Sequence, residues 1–150
     1  MSTRAIYSFV DENNDDLHIY KHHDGYPSGA CIAIKNALNH AWVLPRFEAD
    51  EFGAAFVAGN KPSLTECEKN HGEAGKFMVG GGVRLLCSGD WQKVAPGDIA
   101  FRYLIQCVGG ELRIAAFQVS CNFDTDEWKV NEIFEGSLAE FEKFAEECKL

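Results

Sequence analysis

The chain has 150 residues, the usual size of one domain, and a folded chain of that length buries about 70% of its unfolded surface. A hydrophobic content of 46% with 25% charged residues excludes both a disordered tail and a collagen-like fibre. Fourteen basic against 23 acidic side chains leave a net charge of −9, which repels phosphate backbones and anionic lipid surfaces, so duplex nucleic acid and membranes are not expected partners.

Residues 4–10 are β-prone and stop at the turn-forming run 11–16, and a second β run, 17–22, follows at once. The cheapest arrangement of two short strands joined by a compact polar loop is an antiparallel hairpin. With Val10 paired to Leu17, the register sets Arg4 opposite His23, with Lys21 on the same face. The segment 24–29 breaks the strand. Ala30, Ile34, Ala37, Leu38 and Ala41 then recur at helical spacing, with Ser28 as the expected N-cap and Leu44-Pro45 as the expected stop.

A second helix is marked by Phe52, Ala55, Phe56 and Gly59, with acidic residues in its first turn and Gly59, Asn60 and Pro62 at its end. Residues 63–82 read as a long irregular connection with room for one short helix after Ser63. Four strands are expected over 83–87, 99–107, 112–122 and 128–134, arranged most simply as a meander. Ser137 and Glu140 form a capping-box pattern opening a final amphipathic helix. The expected fold is α+β in one domain spanning 1–150: an N-terminal hairpin, two helices, an antiparallel meander and a C-terminal helix.

The six cysteines, Cys31, Cys67, Cys87, Cys107, Cys121 and Cys148, include no Cys-x-x-Cys pair and are read as reduced. The N-terminus lacks a basic segment followed by a long apolar run, and no apolar stretch is long enough to span a bilayer; a cytoplasmic location is expected.

The densest group of chemically useful residues is 20–29. Arg4, Lys21, His22 and His23 bring cationic groups towards the start of the following helix, whose free N–H groups favour an anion. The candidate ligand-binding residues are therefore Arg4, His22, His23, Asp24, Tyr26 and Ser28, with Tyr26 stacking on a planar group and Arg4 pairing with the anion. The competing reading is a turn shaped by Asp24, Gly25 and Pro27, with the tyrosines packed.

A hydrolase is the second functional reading, with His22 or His23 as general base, Asp24 as its orienter and Cys31 as a thiol nucleophile in the first helical turn. A third is an interaction module acting through the acidic region 111–150, which holds ten acidic and four basic side chains, with Glu140, Glu142 and Glu146 as test positions. Adjacent strand histidines face opposite ways and Cys67-x-x-x-His71 is half a zinc site, so no metal or other cofactor is expected. The Gly80–Gly82 run precedes a strand rather than a helix, the wrong order for a phosphate loop. Arg84, Arg102 and Arg113, on three expected strands, are candidates to assist Arg4.

Two pieces resemble a group of small uncharacterised proteins of phages, prophages and their bacterial hosts. A Ser/Thr-Arg start, here Ser2-Thr3-Arg4, precedes a His-x-Asp-Gly-Tyr-Pro turn, here His22 to Pro27. Gly81-Gly82 and the strand motif from Gly97 to Tyr103 are similar to further features of that group, with Phe101 in the place of its first aromatic residue. The resemblance implies an accessory protein that binds a host component or sequesters a nucleotide-like signal. The expected partner is thus a small anionic ligand or a host protein.

Overall fold

The computed structural model describes residues 2–148. Strands β1 (Ala5–Val10) and β2 (Asp16–Lys21) form the hairpin. Helices α1 (Pro27–Leu38), α2 (Ala49–Asn60) and α3 (Leu64–His71) follow, the last running into a short 3-10 turn over Gly72–Phe77. Then come β3 (Arg84–Cys87), β4 (Phe101–Val108), β5 (Glu111–Asn122), β6 (Glu127–Ser137) and α4 (Leu138–Glu147). The six strands form one sheet in the order β3-β2-β1-β4-β5-β6. The α+β class, the hairpin, the meander and the closing helix agree with the sequence reading.

Topology departs from it in one respect. Strands β4, β5 and β6 make the meander, whereas β3 joins the far edge against β2 and β4 runs parallel to β1. A parallel neighbour needs a crossover, and residues 22–100 supply it. They lay α1 and α2 over one face of the sheet and return across the other.

Period-two alternation therefore works on two covered faces. Ala5, Tyr7 and Phe9 of β1, with Phe101, Tyr103 and Ile105 of β4, pack under α1, α2 and α4. Their neighbours Ile6 and Tyr20, with Val119, pack instead against Trp91 and Ile99 of the returning segment 88–100.

The hairpin register is one residue from that expected, with Val10 opposite Asp16 and Ala5 opposite Lys21. The cause is Asp11, which is 7% exposed. Its Oδ1 accepts the N–H groups of Asn13 and Asp15 at 3.0 and 3.1 Å, winding residues 11–15 into a five-residue loop with Asn14 at φ 63°. A slip of one residue exchanges the faces, so Arg4 meets His22 rather than His23, and Lys21 moves to the helix-covered side.

Asp11 also fixes α2. Glu48, at the N-cap position, makes no side-chain cap, and Asp11 Oδ2 instead accepts the Ala49 N–H at 3.0 Å. Two further corrections concern α1. Ser28 is not its cap: Tyr26 holds that position without a side-chain cap, and Pro27 takes the first helical place. Proline's fixed φ suits that place and leaves Ser28 in the first turn. The helix ends at Leu38 rather than at Leu44-Pro45, closing on Asn39. Ser63, by contrast, caps α3 through the Glu66 N–H, and Ser137 and Glu140 complete their capping box.

Removing the Asp11 carboxylate strands three backbone N–H groups. Asp11→Ala should cost about 2 kcal/mol in urea unfolding, whereas Glu48→Ala should stay within about 0.5 kcal/mol of the parent.

Candidate functional site

The turn after β2 is anchored from two sides. The Gly25 N–H donates to the Thr3 carbonyl at 2.9 Å, and the buried Tyr103 hydroxyl donates to the Gly25 carbonyl at 2.6 Å. Asp24, at φ 57°, lays its backbone over the first turn of α1. Gly29 permits this approach, since a Cβ there would stand 2.1 Å from the Asp24 carbonyl oxygen.

Beside this turn lies a cleft of about 430 Å³ between the start of α1 and the end of α2, lined by Lys21, Asp24, Tyr26, Ser28, Asn36 and Lys61 among others. Asn60 sets its width. Its amide donates to the Ala33 and Phe56 carbonyls at 2.9 and 3.0 Å and accepts from Asn36 Nδ2 at 3.3 Å, tying the end of α2 to α1. The Tyr26 hydroxyl donates to Asp24 Oδ1 at 3.1 Å, and this bond with the carboxylate's charge raises the phenol pKa. Tyr7, fully buried with its hydroxyl unpaired, is held strongly to the protonated form by burial and by the field of Asp24.

Lys21 is the unusual group here. It is half-buried, it donates to the His23 carbonyl at 2.6 Å, and it stands in no ion pair among the described residues. Burial lowers its pKa, and the Asp24 charge opposes that shift only in part.

The candidate residues thus separate. Asp24, Tyr26 and Ser28 line the cleft, while Arg4, His22 and His23 do not. His22 belongs to a second group on the face covered by segment 88–100. Its Nδ1 accepts from the Tyr20 hydroxyl at 2.7 Å and from Arg4 Nε at 3.3 Å. Arg4 pairs with Asp98 at 3.0 Å, and the Arg84 guanidinium lies 4.7 Å over the Tyr20 ring. Burial first, then the charges of Arg4, His23 and Arg84, lower the His22 pKa. His23 is exposed, and its Nδ1 meets Ser2 Oγ at 3.0 Å.

Of the three further arginines, Arg84 alone joins Arg4. Arg113 makes a bidentate pair with Glu135, and Arg102 is held between the rings of Trp91 and Phe117 at 5.3 and 5.7 Å. The hydrolase grouping does not assemble either. Asp24 is bonded to Tyr26 rather than to a histidine. The buried Cys31 thiol is pushed up by burial, and the charges that act on it are Lys35, Glu142 and Glu146. Burial outweighs the helix dipole at this thiol. Among the described residues, no three His, Cys, Asp or Glu side chains form a metal-binding group, and no helix is long and apolar enough to cross a membrane.

A polar row that the sequence reading passed over lies under segment 88–100. The buried Ser8 hydroxyl and His18 Nδ1 are 2.6 Å apart, and Arg102 Nε donates to Ser8 Oγ at 3.1 Å. His18 Nε2 donates to the Gly89 carbonyl at 2.7 Å and lies 3.4 Å from Asp16 Oδ2. Asp16 Oδ1 in turn accepts the Ser88 hydroxyl and the Gly89 N–H at 2.6 and 2.9 Å. A serine–histidine–aspartate row invites comparison with a hydrolytic triad, yet Ser8 is 0% exposed in mid-strand and the shorter of the two Nε2 contacts goes to the Gly89 carbonyl rather than to Asp16. Its work is to fasten the covering segment to the sheet. Alternation signals it: Ser8 and His18 share a face with Ile6 and Tyr20, whose burial requires theirs.

Compared with known proteins, the chain matches no family model, no curated protein and no solved structure.

His18 supplies a pH test. Burial lowers its folded pKa below the unfolded value, with Arg102 acting the same way against Gly89 and Asp16. The unfolded chain therefore binds the proton first, and stability present above the ordinary histidine pKa is lost as pH falls below it. Unfolding midpoints should drop from pH 7.5 to 5 along a steeper slope than in His18→Gln, which should also be less stable at neutral pH.

Proposed function

We propose that the protein is a non-catalytic binding protein for a small phosphorylated, nucleotide-like anion held in the cleft between α1 and α2. The observation that carries this reading is Lys21, a half-buried cation that stands in no ion pair among the described residues and lines a cleft at the start of a helix. Keeping such a cation partly out of water is costly, and an anion in the cleft offsets that cost.

Other features of the cleft support it. The first turn of α1 has no side-chain cap; Pro27 carries no N–H and the Ala30 N–H is bonded to the Tyr26 carbonyl, so Ser28 and Gly29 are the residues whose N–H groups would meet an anion. Lys61 offers a second cation from the opposite wall, and Tyr26 a ring beside which a planar group stacks. Asp24 and Asn36 add acceptors suited to the hydroxyls or ring nitrogens of a nucleotide-like molecule.

Arg4, His22 and His23 lie outside the cleft and are not part of the proposed site. The similarity of the turn after β2 to the phage-associated group fits an accessory protein that withholds a soluble signal or meets a host component. Binding is favoured over turnover because Asp24 is engaged by Tyr26 and Cys31 lies towards α4.

Calorimetric titration with inorganic phosphate, pyrophosphate and adenosine or guanosine mono- and diphosphates tests the proposal. At least one should bind, and Lys21→Met should weaken it by about tenfold or more. Ser28→Asp places a carboxylate at the helix start, so it should abolish binding while holding or raising the melting temperature. Binding favours charged Lys21, so affinity should fall with rising pH at lower values than an ordinary lysine would give. Equal binding by parent and both variants, or no binding by any of these anions at millimolar concentration, contradicts the proposal.

A further inference from the structure

On the opposite side of the sheet from the Lys21 cleft, a second cleft of about 530 Å³ opens between segment 88–100 and the β5–β6 turn. Two aromatic side chains line it. Phe123 is 74% exposed, yet its ring is laid on Gly97, where an added Cβ would stand 2.5 Å from it. Trp128 is half-buried and fixed, its indole N–H donating to the Gln92 carbonyl at 3.3 Å and its ring meeting Trp91 edge-on at 5.1 Å.

Asp90 and Asp126 also line this cleft, both exposed and neither in an ion pair among the described residues. Asp90 Oδ1 accepts the Gln92 N–H at 3.1 Å, a bond that leaves its charge available, and Asp126 shapes the β-turn at φ 57°. Lys93 is the one cation that lines the cleft among the described residues. Asp124 and Glu127 flank the turn and extend the negative field beyond the cleft.

The geometry points to a docking site for an arginine side chain on a basic segment of a partner protein. Aromatic faces attract a cation through their quadrupole, and a planar guanidinium stacks on them while bonding carboxylates in a bidentate fork. The molecule already sets guanidinium groups over aromatic rings, that of Arg84 over Tyr20 and that of Arg102 over Trp91 and Phe117. The site also relocates the acidic contact suggested by composition. Glu140 is used in its capping box, and Glu142 is paired with Lys35, whereas Asp90 and Asp126 are unpaired.

The test is titration of the intact protein, at low ionic strength, with acetyl-Gly-Arg-Gly-Arg-Gly-amide and with the same peptide carrying citrulline, which keeps the shape and loses the charge. The readout is the Trp128 indole N–H signal in nitrogen–proton correlation spectra, assigned with Trp128→Phe. The arginine peptide should shift that signal and bind about tenfold or more tightly than the citrulline peptide, with affinity falling as salt rises. Asp90→Asn with Asp126→Asn should weaken the arginine peptide by a similar factor at unchanged melting temperature, because asparagine keeps the same backbone bond and turn conformation. Lys93→Glu should tighten it several-fold, and Lys21→Met should leave it unaffected. Equal binding of the two peptides would replace the site with an uncharged ring pocket, and an unmoved Trp128 signal at millimolar peptide would remove the site.

Discussion

The structure depends on a central strand buried on both faces from Ala5 to Phe9. β1 is covered by α1 and α2 on one face and by Trp91 and Ile99 on the other, so Ile6 and Ser8 are as deeply buried as Tyr7 and Phe9. A buried hydroxyl without partners is costly. His18 and Arg102, from the two neighbouring strands, satisfy Ser8, and His18 is satisfied in turn by the Gly89 carbonyl. One buried serine in mid-strand thereby links β1, β2 and β4 and fixes where the covering segment begins.

The same constraint divides the chemistry between faces. Side chains of β2 alternate, sending Tyr20 and His22 towards Arg4, Arg84 and Asp98, and Lys21 towards the α1–α2 cleft. Asp11 decides which set goes where, since its side chain sets the loop length and hence the register. It also holds the start of α2 through Ala49, and Asn60 holds the other end of α2 to α1. Register and cleft width are thus set by two polar side chains remote from each other.

Elements with strong periodicity or explicit caps were legible in the sequence. The hairpin, α2, the last three strands and α4 follow from alternation, helical spacing and the Ser137–Glu140 pair, and Ser63 marked the start of α3. What escaped was decided by contacts between distant residues. The pairing of β1 with β4 and of β2 with β3 has no local signature, so β3 read as part of the meander. The α1 cap was misplaced because Pro27 takes the first helical position, one residue before the residue type that usually caps. Of the residues that line the α1–α2 cleft, Asp24, Tyr26 and Ser28 were singled out from the turn motif. Arg4 was grouped with them because a one-residue register difference puts it on the face opposite Lys21, and His22 and His23 were grouped with them by their place in the sequence beside the turn. Lys61 and Asn60 lay outside the reading, since only the packing of α2 on α1 brings them to the cleft.

Lys21 and the start of α1 are proposed to form one anion site, separate from the Arg4–His22–Arg84 group. The most direct measurement is a map of amide chemical shifts during titration with pyrophosphate. Shifts centred on Ser28, Gly29, Lys21 and Lys61 are the predicted result. Shifts centred on Arg4, His22 and Arg84, with those four unmoved, would contradict it.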